Sequence, residues 1–237
     1  MAFIPGNKGR IILGDFALSA YTQKIDATAN VPMLDATVLT SGGEEFIPGV
    51  KMATISVQGL LDNVGSGQHT QIGGAVGTVA EDAVSYAPTG FALGNPTLSC
   101  LAREGSYKVS SEPKSVVSWT LDMTADNLFE MGVSLADLAQ VSSTTTGTGV
   151  DNAAGTTNGG AAYLHVTQYA TFTNVVFKVQ HSTDNSSWSD LATFTTVTAV
   201  GSQQVIVAPG TVNRYLRAVA TVSGSGTITY AVAFARR

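Results

Sequence analysis

The chain has 237 residues, of which 12% are charged and 44% hydrophobic, with 25 glycines and a formal net charge of -5. That length can bury a full core and fits two domains, while so sparse a charged surface is unusual for a free monomer and points to surface hidden in an assembly. Residues 1–150 carry 7 Lys/Arg against 14 Asp/Glu and residues 151–237 carry 5 against 3; no basic stripe is present to displace counterions from phosphate, which argues against a DNA-gripping role.

In chain order, the apolar start Met1-Ala2-Phe3-Ile4 breaks at Pro5 and meets Lys8, Arg10 and Asp15. It is too short for a signal peptide or a membrane span, so a chain made and kept soluble, with no membrane anchor, is expected. Ala53, Ile55 and Val57 alternate with Thr54, Ser56 and Gln58, the period of a strand with one wet face. Leu98, Cys100 and Ala102 share such a face. A single cysteine excludes an internal disulfide framework, and Cys100 reads as a small buried hydrophobe. Val117, Trp119, Leu121 and Met123 repeat the alternation. Ser134-Leu135-Ala136-Asp137 has the Ser-x-x-acid pattern of a helix start, with Leu135, Leu138 and Ala139 for one face, which predicts a short helix of about two turns.

From Ser142 to Gly160 the chain is nearly all Ser, Thr, Gly, Asn and Ala, which predicts a linker or long exposed loop. Beyond it, Val175, Phe177 and Val179 alternate with Lys178 and Gln180, and Ile228, Tyr230, Val232 and Phe234 with Thr227, Thr229, Ala231 and Ala233. Turn residues at 182–187, 208–210 and 223–226 punctuate these runs. Such spacing without long helices predicts an all-β protein of antiparallel sandwich or barrel type. The domains are expected at 1–141 and 161–237, joined by 142–160, with the second folding on its own.

Enzyme chemistry is nearly absent from this pattern. His69, His165 and His181 have no ligand at metal-binding spacing. Ser111-Glu112-Pro113-Lys114 matches Ser-x-x-Lys, but Pro113 breaks the helix that motif needs. Gly65, Ser66 and Gly67 lack the rest of a phosphate loop. The expectation is a non-enzyme with no metal and no cofactor. Tyr163, Tyr169, Trp188 and Tyr215 fit core packing or a sugar-stacking platform, with Trp188, after an Asp-Asn-Ser-Ser turn, the glycan-contact candidate.

The segment 35–61 carries a resemblance. Asp15-Phe16-Ala17-Leu18-Ser19-Ala20-Tyr21, the Asp-x-Thr pair Asp35 and Thr37, the turn Glu45-Phe46-Ile47-Pro48-Gly49 and the strand ending Gly59-Leu60-Leu61-Asp62 resemble the major tail tube proteins of long-tailed, non-contractile phages, over roughly the first 140 residues. The second half is similar to the appended β-domain of related tail proteins. A departure is that residues 62–80 are rich in Gly and Thr where the family places an amphipathic helix.

The resemblance implies a tail-tube-type β-sandwich or barrel with a short helix, followed by a second, decorating β-sandwich domain. It further implies a virion tail subunit in stacked hexameric rings, with tape measure protein and tail-end proteins as partners and DNA passing during ejection without specific binding. Within that frame Glu45, Phe46, Ile47, Pro48 and Gly49 are subunit-contact candidates. Glu44, Glu81, Asp82, Glu104, Glu112, Asp122 and Glu130 are candidates for an acidic, phosphate-repelling lumen. A head decoration protein or a glycan-binding adhesin shares the β-rich, sparsely charged composition.

Overall fold

The computed structural model describes residues 5–20, 22–40, 42–62, 68–74, 76–77, 81–126 and 128–237. The start Met1-Ala2-Phe3-Ile4, the segment Gly65, Ser66 and Gly67, and Tyr21 lie outside them. The strands are β1 (Arg10–Leu13), β2 (Phe16–Ala17), β3 (Thr22–Asn30), β4 (Met33–Asp35), β5 (Phe46–Pro48) and β6 (Met52–Leu60). Next come β7 (Asp82–Ala87), β8 (Pro96–Ser110), β9 (Ser118–Ala125), β10 (Glu130–Val141), β11 (Thr145–Thr146) and β12 (Val150–Asp151). The last six are β13 (Gly160–Ala170), β14 (Asn174–Ser182), β15 (Ser189–Thr193), β16 (Gly201–Val207), β17 (Tyr215–Ser223) and β18 (Thr227–Arg236). One α-helix, α1 (Gln68–Gly73), is described. The protein is mainly β with antiparallel sheets, as the alternation predicts.

Contacts divide the chain otherwise than its composition does. One compact unit is Met1–Ala20, Glu81–Leu101 and Glu130–Arg237; the other is Tyr21–Ala80 and Ala102–Phe129. These units do not follow the expected boundaries at 141 and 161. Residues 142–160 are not a free linker, because β11 and β12 both pair with β17 and Arg214 grips Asp151 through two hydrogen bonds of 2.7 and 2.6 Å. Hydrogen bonding to a distant strand holds a segment that has almost nothing apolar to bury.

In the first unit the strand order is β16-β13-β18-β10-β8-β7-β1-β2, and a second sheet, β11-β17-β14-β15 with β12, covers one face. Val175, Phe177 and Val179 of β14 meet Leu164, Val166, Ile228, Tyr230, Val232 and Phe234 in one core, where Phe177 and Tyr230 pack edge to face at 4.7 Å. This is the expected sandwich. The opposite side of β18, predicted wet, is buried: Ala231 packs with Ile12, Ala87 and Phe91, and Ala233 with Ala83, Ala161 and Tyr163. The long sheet curls so that β1 and β7 return over β13 and β18, and alanines at those positions let the layers approach.

The helix expected at Ser134–Ala139 is a strand, β10, paired with β18 and, through Glu130–Val133, with β8. Register shifts at Ser134/Ala136 and Ala136/Ala139 explain the misreading. A bulge adds a residue on one side of the ladder, so the period of two stretches locally towards a helical spacing. The helix that does form, α1, lies in the Gly/Thr-rich 62–80 segment.

Candidate functional site

The second unit carries the most conspicuous surface of the molecule. Between β3 and β6 the chain leaves the sheet as a separate hairpin, β4 with β5, in the register Met33↔Pro48, Leu34↔Ile47 and Asp35↔Phe46. Its base is closed by Gly49 N–H donating to Pro32 O at 2.7 Å. A side chain at Gly49 would press on that carbonyl, with a Cβ only 3.0 Å away.

The Asp-x-Thr motif acquires a mechanism here. Thr37 N–H donates to Asp35 Oδ1 at 2.9 Å, Glu45 N–H donates to Thr37 Oγ1 at 2.9 Å, and Ala36 N–H donates to Glu45 O at 2.8 Å. Asp35 turns the chain out of β4 and Thr37 ties the far limb back to it, an Asx turn extended by one hydroxyl. The bonds from Thr37 hold the Asp35 carboxyl below its usual range.

This hairpin is an apolar arm. Leu39 is fully exposed, Val50 is 80% exposed, and Met33, Leu34, Val38, Phe46 and Ile47 all stand more than half exposed. A run of large apolar side chains on one projection marks an interaction surface, unlike isolated exposed hydrophobes. All five subunit-contact candidates therefore lie on the arm, from Glu45 through Gly49. Met33, Leu34, Val38, Leu39 and Val50 were not singled out by sequence; their signal was the apolar residues flanking a polar turn motif.

Beside the arm, β6, β9 and the distal part of β8 bury Ala53, Ile55, Val57, Trp119, Leu121 and Met123 on one face. The other face is polar. Register places Asp26, Ser56 and Asp122 side by side across β3, β6 and β9, with Thr28, Thr54 and Thr124 one step along. Ser56 and Ser106 hydroxyls donate to the two Asp122 oxygens at 2.7 and 2.9 Å. Asp26 is paired with Lys24 at 2.6 Å. β3 has β6 on one side and, among the described residues, no strand on the other.

The acidic lumen candidates are not brought together. Glu44 is exposed on the arm's loop, Glu112 in the β8–β9 turn and Asp122 on the polar face. Glu81 and Asp82 are half-buried, and burial together with Asp15 raises the Asp82 carboxyl. Glu104 is buried at 4% exposure, which removes it from any solvent-lined wall. Glu130 accepts the Tyr163 hydroxyl at 2.6 Å and the Arg237 guanidinium. It anchors its own unit, and burial and Glu130 together push the Tyr163 phenol far up.

The aromatic platform does not assemble. Tyr163 is buried, and the Tyr169 hydroxyl donates to Phe172 O at 3.1 Å. Trp188 is half-buried, with the Arg217 guanidinium 4.2 Å from its ring centre and the Gly149 backbone so close that a Cβ there would sit 2.9 Å from the ring. One flat face is already taken.

Further candidates for chemistry are His69, His181 and Cys100. His69 Nδ1 lies 3.1 Å from the Tyr107 hydroxyl, and His181 Nδ1 accepts Asn213 N–H at 3.2 Å. Cys100 is buried and its thiol is pushed up to about 12, first by burial and then by Glu130. Among the described residues no three His, Cys, Asp or Glu side chains cluster as a metal site, and no helix is long and apolar enough to cross a membrane.

His165 has a Ser85 hydroxyl at 2.8 Å from Nε2 and the Gly14 carbonyl at 2.9 Å from Nδ1, while Ser99 Oγ is 2.9 Å from Ser85 Oγ. A carbonyl can only accept, so Nδ1 carries the proton, Ser85 donates to Nε2 and Ser99 donates to Ser85. With His165 and both serines buried, no substrate reaches this pair.

Burial lowers His165 to about 4 from 6.5, partly offset by the Gly14 bond. The depressed value means that stability is full above pH 6.5 and is lost as the pH falls towards 4, because the unfolded chain takes up the proton first. The gap corresponds to about 3 kcal/mol. Denaturant titrations at pH 7 and pH 4 should show wild type losing that much more than His165→Gln; equal losses would remove His165 from the acid response.

No protein-family model matches the chain, and no curated protein does. Among solved structures, a chain in the virion of a native gene transfer agent particle is 20% identical, covering 54% of this chain and 98% of its own, at TM-score 0.43. A chain in the tail of an empty particle of that kind, with C6 symmetry, is 20% identical over 46% of this chain and 80% of its own, at TM-score 0.37. The SPP1 Dit protein, described as a paradigm of the adsorption-apparatus hub in phages infecting Gram-positive bacteria, is 12% identical over 96% of this chain and 98% of its own, at TM-score 0.41. At these identities and TM-scores the likenesses carry no argument for role.

Proposed function

We propose that the protein is a structural subunit of a phage tail that joins copies of itself into six-membered rings, which stack into a tube for DNA passage. The observation that carries this reading is the apolar arm, whose side chains a monomer leaves in water. Its closure by Asp35 and Thr37, the residues of the tail-tube-like motif, ties that surface to the resemblance.

The open edge of β3 supports the reading as well. Among the described residues no strand lies beside β3 opposite β6; a sheet edge of that kind invites another chain, and closing such edges around a ring removes the liability while fixing the copy number. Rings stack head to tail, so growth stops only where a tape measure protein and tail-end proteins set the length. The polar face of β3, β6 and β9, lined with hydroxyls, the Asp122 carboxylate and the ion pair of Lys24 with Asp26, is the surface suited to a bore: its one ammonium is engaged by a carboxylate and it offers phosphate no aromatic grip. The role is mechanical, with no enzymatic step and no cofactor.

Negative-stain microscopy of the purified chain over a concentration series tests it. Rings or tubes of six-fold symmetry are expected. Particles that remain monomeric at every concentration would overturn the proposal, and dispersed trimers would favour head decoration instead.

A further inference from the structure

An apolar arm needs a receptor, and the first unit contains a matching cleft of about 410 Å³. Its walls are Ile12, Ala17, Phe91 and Leu138, with Ser19 and Ala20 at one side and two opposed charges, Arg10 and Asp137. The floor is firm. Ile12 and Phe91 belong to a buried cluster with Ala87 and Ala231, and Leu138 packs against it. Ser19 Oγ accepts Ile11 N–H at 2.8 Å and donates to Ile11 O at 3.2 Å, which pins the segment carrying Ala20 against β1.

Both charges remain available. Arg10 is exposed and its Nη1 donates only to carbonyls, Asn7 O at 3.1 Å and Gly9 O at 2.9 Å. Asp137 is exposed and Oδ1 accepts its neighbour Leu138 N–H at 2.8 Å. Among the described residues neither side chain has an ion-pair partner within 4 Å.

We infer that this cleft is the receptor for the arm of a second copy of the chain, a reading that rests on the self-assembly proposed above and names its joint. Leu39 and Val38 supply the aliphatic groups that an apolar floor takes from water. The charges match in sign: Glu44 and Glu45 on the arm's loop face the need of Arg10, and Lys51 beyond the arm's base that of Asp137. Because arm and receptor are different patches of one sequence, the contact is heterologous and propagates from copy to copy, as a growing tail requires.

Cysteine pairing tests the joint. Leu39→Cys with Ala20→Cys, both at exposed positions, should give under oxidation a ladder of covalent oligomers, while either single variant, with Cys100 buried, gives none. Charge reversal provides a second reading. Arg10→Glu should raise the concentration needed for assembly about tenfold, and adding Glu44→Lys with Glu45→Lys should bring it back.

Assembly with no ladder, or a disulfide that closes within a single chain, overturns the inference. So does an Arg10→Glu variant that assembles as wild type. In each of these cases the ring reading survives, whereas wild type that never assembles defeats the ring reading and this joint together.

Discussion

A chain cut after Gly147 is expected to lose the first unit's fold and not merely a decoration. β18 lies between β10 and β13, and seven residues of β10, from Gly132 to Val141, are paired with it. Without β13, β14, β17 and β18, Leu135 loses the core it packs into, and Ile12 and Phe91 lose Ala231. The loss is the unit's whole stability, on the order of 5–15 kcal/mol. Hydrogen exchange should then show β1, β7 and β10 unprotected, while β6 and β9, whose buried residues lie in the other unit, keep some protection. A truncated chain that melts cooperatively with β10 protected would show that residues 161–237 are dispensable after all.

The double substitution Phe46→Asp with Ile47→Asp should abolish assembly and leave the monomer folded. Both side chains are more than half exposed already, at 54% and 55%, so the monomer loses little core; surface changes of this kind stay within about 0.5 kcal/mol. In a joint that buries them, each gains about half of the roughly 1.5–3 kcal/mol of full burial, since each is already half covered. Together that raises the assembly concentration by about ten- to a hundredfold. Circular dichroism with sedimentation velocity separates the two effects. Tubes at wild-type concentration would show that the arm is not a principal joint, and an unfolded variant would place these residues in the monomer's stability instead.

Legibility in the sequence followed the range of the interactions. Ala53, Ile55 and Val57, and Trp119, Leu121 and Met123, were readable because alternation is local and the structure buries one face of each strand. Leu135 was not, because two bulges disguised a strand as a helix start. Residues 142–160 are largely exposed, as expected, but their pairing is not legible because what holds them is far away in sequence: Arg214 for Asp151, Trp188 for Gly149 and β17 for Thr145 and Val150. Composition records what a segment can bury and is silent on what it can pair with. The same limit applied to Glu130, whose partners Tyr163 and Arg237 stand 33 and 107 residues on. The arm was half legible. Phe46 and Ile47 stood out in a turn, whereas the opposite limb gained meaning only once β4 and β5 were paired.

The central position of β18 has a consequence for the order in which the two units can fold. Strand β10, synthesised some ninety residues earlier, cannot complete its ladder until the ribosome has delivered Thr227–Arg236. Until then Ile12, Phe91 and Leu135 stay uncovered, and contacts of such long sequence separation form slowly. The second unit, whose residues end at Phe129, is under no such delay. Each nascent chain therefore completes the β4–β5 hairpin before the cleft beside Ile12 and Phe91 has its floor, so a joint between these two patches, as proposed above, needs at least one copy whose β18 is already in place.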